Sequence, residues 1–211
     1  MIKTKLLIGL FLAVFIAGSM SSYAVITNSK HDFKGAGWNT GGEICIVCHT
    51  PHNASTTAGA PLWHHKITTS TFTMYPSSNV TGQVDAEPNT ATKLCLSCHD
   101  GVTALDAFGG ATGTTPLTTT SYPGTKANLG TVLDNDHPIS ITYTNTGAGL
   151  NNSTNTQVTI NGSTGPISTK MLINGKVECS SCHDVHNNTA NSKMLLIANT
   201  GSALCLTCHI K

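Results

Sequence analysis

Apolar residues in this chain fall into short groups separated by long polar stretches, and the longest group stands at the start. Leu6 to Ala17 follows Lys3 and Lys5 and leads to Ser22-Tyr23-Ala24, a small-x-small sequence. The run is shorter than the ~20 residues that cross a bilayer as a helix. Its flanks predict a secretory signal peptide over residues 1–24, cleaved after Ala24, with no stable membrane anchor left behind. Further along, Ser140-Ile141-Thr142-Tyr143 and Gln157-Val158-Thr159-Ile160 alternate as short strands do. Asn174-Gly175 between Met171-Leu172-Ile173 and Lys176-Val177 predicts a two-residue hairpin that runs into a Cys-x-x-Cys pair. Helical periodicity is weak. Its best stretches are Lys93 to Phe108 and the segment from Ser202, a candidate N-cap, to the C-terminus.

Composition explains why the pattern is so sparse. Aromatic residues are 5% and charged residues 10% of the 211, while Thr, Ser, Asn and Gly are abundant. Such a chain builds only a small side-chain core. Loss of the leader leaves nine lysines and no arginine against ten acids, so no basic surface points to nucleic acid. Apolar mass supplied by something other than side chains is expected, and with it an apo-chain of little fixed structure.

Cysteine spacing identifies that supply. The eight cysteines form four Cys-x-x-Cys pairs, Cys45/Cys48, Cys95/Cys98, Cys179/Cys182 and Cys205/Cys208, and each pair is followed at once by a histidine: His49, His99, His183 and His209. Two thiols at this spacing reach the two vinyl groups on one edge of a porphyrin, and the adjacent imidazole turns onto the iron. Paired Cys-x-x-Cys also builds four-thiolate zinc sites, and a single pair builds a redox disulfide, but neither calls for a histidine after every pair. Four covalently bound haem c groups are the expectation. The fold class that follows is a mostly irregular multihaem cytochrome, with a few short helices and β-hairpins organised around covalent haems.

The four motifs are arranged as two pairs. Cys45 to Asn53 and Cys179 to Asn187 both read CxxCHxxHN, and each precedes a second motif, giving haem-pair modules at about 45–99 and 179–209. Between them lies a cysteine-free insert at about 111–170, dense in Thr, Asn and Gly. Residues 25–211 are expected to form one tetrahaem domain.

Low-spin haem needs a second axial ligand, and six histidines stand outside the motifs: His31, His52, His64, His65, His137 and His186. His52 and His186 lie three residues after a motif histidine, too close to their own haem to reach its far face. The simplest pairing sends His52 to the haem of Cys95/Cys98 and His186 to that of Cys205/Cys208, and gives His137 to the third haem. For the first haem, His31 and the pair His64-His65 stay open. Met74, Met171 and Met194 are weaker candidates, better suited to filling gaps. Trp38, Trp63, Phe33, Phe72 and Phe108 are expected to pack on porphyrin faces, and Asp100 and Asp184 to accept a ring N–H from the histidine before them. Asp134 and Asp136 form only an incomplete calcium signature.

The CxxCHxPHN and CxxCHDxHN forms, Pro61-Leu62-Trp63-His64-His65, Cys95-Leu96-Ser97-Cys98-His99-Asp100-Gly101 and Asp136-His137-Pro138 together resemble the extracellular tetrahaem cytochromes of the OmcE type, over most of the chain from about His31 to His209. That resemblance implies bis-histidine haems stacked in one continuous line and polymerisation of the chain with itself into a conducting filament. In some members a histidine is donated to the next subunit. It also favours His65 over His64, and names His52 first and His31 second as a donor in trans.

Function is therefore expected to be electron transfer rather than catalysis. The leading form is a homopolymeric extracellular filament that exchanges electrons with other redox cytochromes and external acceptors. The alternatives are a soluble periplasmic tetrahaem shuttle and, further off, a haem-dependent reductase, which would need an open iron position.

Overall fold

The computed structural model describes residues 26–118, 126–145 and 149–211. The expected leader and parts of the insert lie outside these residues. Regular structure is scarce, as the composition implies. Helix α1 spans Thr90–His99, α2 is a single turn at Ile167–Lys170, and α3 spans Ala203–Cys208. Strands β1, Ile141–Thr142, and β4, Lys176–Val177, pair antiparallel, as do β2, Gln157–Ile160, and β3, Ser163–Pro166. Among the described residues no helix is long and apolar enough to cross a membrane.

The first helix begins and ends earlier than periodicity suggests. Asn89 caps it, its side chain accepting the Thr92 N–H. Leu96 and Ser97 face inward, and Leu96 packs with Phe72 and Leu133 against Met74 and Ile139. Phe72 thus serves this apolar cluster. The helix stops at His99 because Gly101 adopts φ +70, where a β-carbon would also strike Asn128. The residues from Val102 to Phe108, expected to be helical, are bends and a turn, with single bridges from Ala104 to Pro116 and from Phe108 to His65.

The C-terminal helix starts where predicted, after Ser202. That residue takes a left-handed conformation, φ 66, and its side chain makes no cap.

The insert is a platform. Val158, Ile167, Met171 and Leu172 form a second apolar cluster, against which Tyr143, Val177, Ile197, Leu204 and Cys208 pack. Its hairpins use Asn-Gly turns with both residues at positive φ: Asn161 (51) and Gly162 (74) join β2 to β3, and Asn174 (53) and Gly175 (77) turn the chain at the predicted place. After the second turn, Ile173 and Lys176 exchange 3.0 Å backbone hydrogen bonds, and the strand then pairs with β1 rather than with the residues before the turn. Asn151 fastens the fourth motif to this platform. Its Nδ2 donates to the Leu206 and Thr207 carbonyls, at 3.0 and 2.9 Å, and the Tyr143 hydroxyl donates to the Asn151 and Cys208 carbonyls, at 2.8 and 3.1 Å.

The two CxxCHxxHN segments share one backbone pattern. Thr50 N–H bonds to Leu62 O (3.0 Å) and His64 N–H to Cys48 O (2.9 Å). In the later segment Asp184 N–H bonds to Met194 O (2.8 Å) and Leu196 N–H to Cys182 O (2.9 Å). Asn53 and Asn187 turn the chain at φ 54 and 56, and Leu62 and Met194 at φ 49 and 58. Each loop thus returns to form a single bridge with its own motif histidine, His49 with Trp63 and His183 with Leu195.

Candidate haem sites

Each motif presents two thiols and one imidazole from one turn of chain. In the first and third motifs the motif histidine N–H bonds back to the first cysteine carbonyl, His49 to Cys45 (2.8 Å) and His183 to Cys179 (3.1 Å). The fourth does the same, His209 to Cys205 (2.9 Å), and the second lies on α1. All eight thiols are free.

Burial pushes the Cys48 and Cys182 thiols up to about 11, and raises Cys98 further. The hydrogen bond to Cys179, with burial, also raises Cys95, and Cys179 is lowered by that same bond. Among the described residues no three His, Cys, Asp or Glu side chains gather as a metal cluster, so the four pairs do not assemble a four-thiolate site. The Cys95–Cys179 contact, with Thr92 Oγ1 lying 3.6 Å from the Cys179 sulfur, brings the second and third motifs together.

Ring orientation is set by backbone carbonyls. Nδ1 of His49 is 2.7 Å from Pro61 O, that of His99 is 2.6 Å from Ala127 O, and that of His183 is 3.1 Å from Lys193 O. A proton shared with those carbonyls leaves Nε2 with its lone pair free, the form an iron needs. The expected aspartates do not fill this role. Asp184 instead accepts the backbone N–H groups of His186 and Asn188, at 3.0 and 2.7 Å, and Asp100 is buried in a separate network. The three carbonyls leave no mark in a sequence, because every residue carries one.

Opposite three motif histidines the fold places a histidine from elsewhere in the chain. His186 lies beside His49, centroids 6.2 Å apart with planes at 16°. His31 lies 6.0 Å from His99 at 47°, and His137 lies 6.2 Å from His209 at 74°. Two imidazoles bound through nitrogen to opposite faces of one metal, at nitrogen–metal distances of about 2 Å, hold their centroids about 6 Å apart. The residues present therefore fit a bis-histidine haem at each pair.

These partners differ from the simple pairing expected from sequence. His186 faces the first motif rather than the fourth, His137 the fourth rather than the third, and His31 the second, where His52 was expected. Proximity along the chain guided the expectation, whereas the fold folds the C-terminal module back onto the N-terminal one.

The remaining histidines separate by environment. His65, favoured by the resemblance, is buried, with Nδ1 2.9 Å from Lys66 O and Nε2 3.3 Å from Leu105 O and 3.6 Å from the Cys98 sulfur. Burial lowers its pKa. His64 holds Nδ1 2.6 Å from Ile46 O and rests its ring on Phe108. His52 is exposed, and among the described residues neither it nor His183 has a ring partner. Three of the five aromatic residues that sequence assigned to porphyrin faces, Phe33, Trp38 and Phe108, run on from His31 at 5.8, 5.2 and 6.4 Å, while Trp63 lies 6.0 Å from His49 and 6.4 Å from His65.

Residues 172–211 match the family model for a doubled CXXCH motif. The matched stretch contains the third and fourth cysteine pairs and both of their histidines. It carries the CXXCH signature for haem c attachment, consistent with multihaem c-type cytochromes. No curated protein matches the chain.

Proposed function

We propose that this protein is a tetrahaem electron carrier, with one haem c on each cysteine pair and imidazoles on both faces of its irons. The observation that carries the reading is the set of three histidine pairs at 6.0–6.2 Å, each joining one motif histidine to one from a distant segment. When bound, haem supplies the one-electron chemistry. The chain's own residues attach it by thioethers, hold Nε2 of His49, His99 and His183 toward the iron through the carbonyls of Pro61, Ala127 and Lys193, and close the far face. Imidazole on both faces leaves no position for a small substrate, and favours a lower potential than a methionine–histidine pair.

The carrier is exported and works as an extracellular filament of identical chains. One feature supports the filament: of the four histidines left over from the pairs, His64 is half-buried and His65 buried, while His52 and His183 in the third motif are exposed. A copy of the chain that brings its His52 to another's third haem would close that iron and link the two haem sets. His31, the other suspect from the resemblance, faces His99 within its own chain.

Electron microscopy of haem-staining material sheared from expressing cells tests the filament. An unbroken line of haems through repeated copies, with His52 crossing between them, is the expected result. Small single particles recovered from the periplasm would leave a four-haem shuttle instead. The carrier itself is tested by intact mass and haem staining of the denatured protein, which should show four haems that stay attached.

A further inference from the structure

On the tetrahaem reading above, we infer that Phe33 is a positioning residue for the haem of the second motif: its ring fixes the angle between the His31 and His99 imidazoles, and so the electronic state of the iron they would share. The three histidine pairs stand at nearly equal separations, 6.0–6.2 Å, but at different rotations. The planes meet at 16° in His49 and His186, at 47° in His31 and His99, and at 74° in His137 and His209. Two imidazoles on one iron both contain the axis that joins them, so the angle between their planes is their rotation about that axis.

His99 takes its orientation from a hydrogen bond, Nδ1 standing 2.6 Å from the Ala127 carbonyl. No such bond orients His31. Among the described residues its backbone N–H is tied to Ser29 Oγ at 3.1 Å, but its ring nitrogens have no hydrogen-bond partner. The ring instead lies against Phe33, centroids 5.8 Å apart with planes at 29°. That is inside the about 4.5–7 Å over which aromatic rings attract one another. Phe33 is itself braced. Its carbonyl accepts the Ala36 N–H and Asn39 Nδ2, both at 3.0 Å, and the buried Asn39 donates a second 3.0 Å bond to the Glu43 carbonyl. Its ring packs on Trp38 at 5.2 Å, and Trp38 on Phe108 at 6.4 Å. Packing, not hydrogen bonding, therefore sets the 47° angle.

The rotation matters because an imidazole donates π density to the iron d orbital perpendicular to its own plane, so axial ligands tune the metal by how they are turned. Parallel rings raise the same orbital and leave another low. Rings at right angles raise two orbitals alike. Low-spin ferric iron lacks one electron from the highest of these orbitals, so parallel rings favour the ferric state most and rings at right angles least. By angle alone, the first haem is biased to the lowest potential and the fourth to the highest, and Phe33 holds the second between them. Electron paramagnetic resonance reads the same orbital gap, its low-field g value rising as the gap closes.

That resonance, recorded on the oxidised holoprotein, is the test. In the wild type the low-field g values of the first, second and fourth haems should rise in that order, each signal identified as the one lost when His186, His31 or His137 is replaced by alanine. Phe33→Leu keeps apolar volume and removes the flat ring. It should displace or broaden the second haem's signal while that haem stays low-spin and the others hold. Phe33→Tyr keeps the ring and should keep the wild-type position. A second-haem signal unmoved in Phe33→Leu, or displaced as far in Phe33→Tyr, would overturn the inference, as would coincident g values for the three haems. Conversion of the second haem to high spin in Phe33→Leu would also overturn it, leaving Phe33 a structural role. Should Phe33→Leu yield no holoprotein, Trp38→Leu, which removes the ring packed on Phe33, is read by the same criteria. A wild-type protein with no low-spin haem signal would instead refute the underlying haem reading.

Discussion

His186 lies beside His49, the two ring centroids 6.2 Å apart with planes at 16°, although they come from opposite CxxCHxxHN segments. The contact closes the C-terminal module onto the N-terminal one. Under the proposed function, His186 is an axial ligand that can be removed from the first haem without touching that haem's own attachment motif.

Replacing His186 with alanine should therefore convert the first haem, not the third or fourth, to high spin. Roughly a quarter of the low-spin signal in electron paramagnetic resonance should be lost. Retention of the full signal would show that another histidine closes that iron.

The third motif behaves differently. His52→Ala should leave the spectrum of a dispersed protein as it is, and should abolish filament assembly. A loss of low-spin haem in dispersed protein would place His52 on an iron of its own chain.

His31 predicts how folding responds to acid. Burial, with the neighbouring imidazoles of His99, His183 and His186, lowers its pKa from 6.5 to about 4. The unfolded chain then binds a proton that the folded chain refuses, so stability rises with pH across that window. The contribution is fully present above about 6.5 and is lost as pH falls toward 4. Denaturant midpoints measured between pH 7 and pH 4.5 should fall less steeply in His31→Ala than in the wild type.

How much of this was legible in the sequence depended on whether the signal was local. The cysteine pairs, the histidine after each, the Asn174-Gly175 turn and the 157–160 strand are local, and each stands where the pattern put it. The distal pairing is not local. His137 and His209 meet because Tyr143 and Asn151 fasten the last helix to the insert, a relation that no spacing encodes. Asn161-Gly162 did carry a readable hairpin signal, of the same kind as Asn174-Gly175. The overlong helix prediction came from following apolar spacing past Gly101, whose positive φ ends the helix.

Glu178 joins the second and third motifs and is nearly fully buried. Its carboxylate accepts from Asn89, from Thr92 Oγ1 (2.6 Å) and from Ser140 Oγ (2.9 Å). Desolvation raises its pKa above the usual carboxylate value. Glu178→Ala strips three buried donors of their acceptor and should cost on the order of 2–4 kcal/mol. Glu178→Gln, which keeps an acceptor and removes the buried charge, should unfold at close to the wild-type denaturant midpoint.

The insert's role is checked at Tyr143. Tyr143→Phe loses the hydroxyl bonds to the Asn151 and Cys208 carbonyls, and should cost about 1 kcal/mol. Limited proteolysis should then cut first within the 199–211 segment. Unchanged cleavage there would mean that the insert does not hold the fourth motif.

The central claim is that four haems are attached and that three of them sit between histidine pairs drawn from distant segments. A high-resolution density map of the purified holoprotein tests it most directly. The predicted result is four porphyrins thioether-linked to the four cysteine pairs, with irons between His49 and His186, His99 and His31, and His209 and His137. Cysteines without porphyrin, or irons whose far faces are closed by other residues, would contradict it.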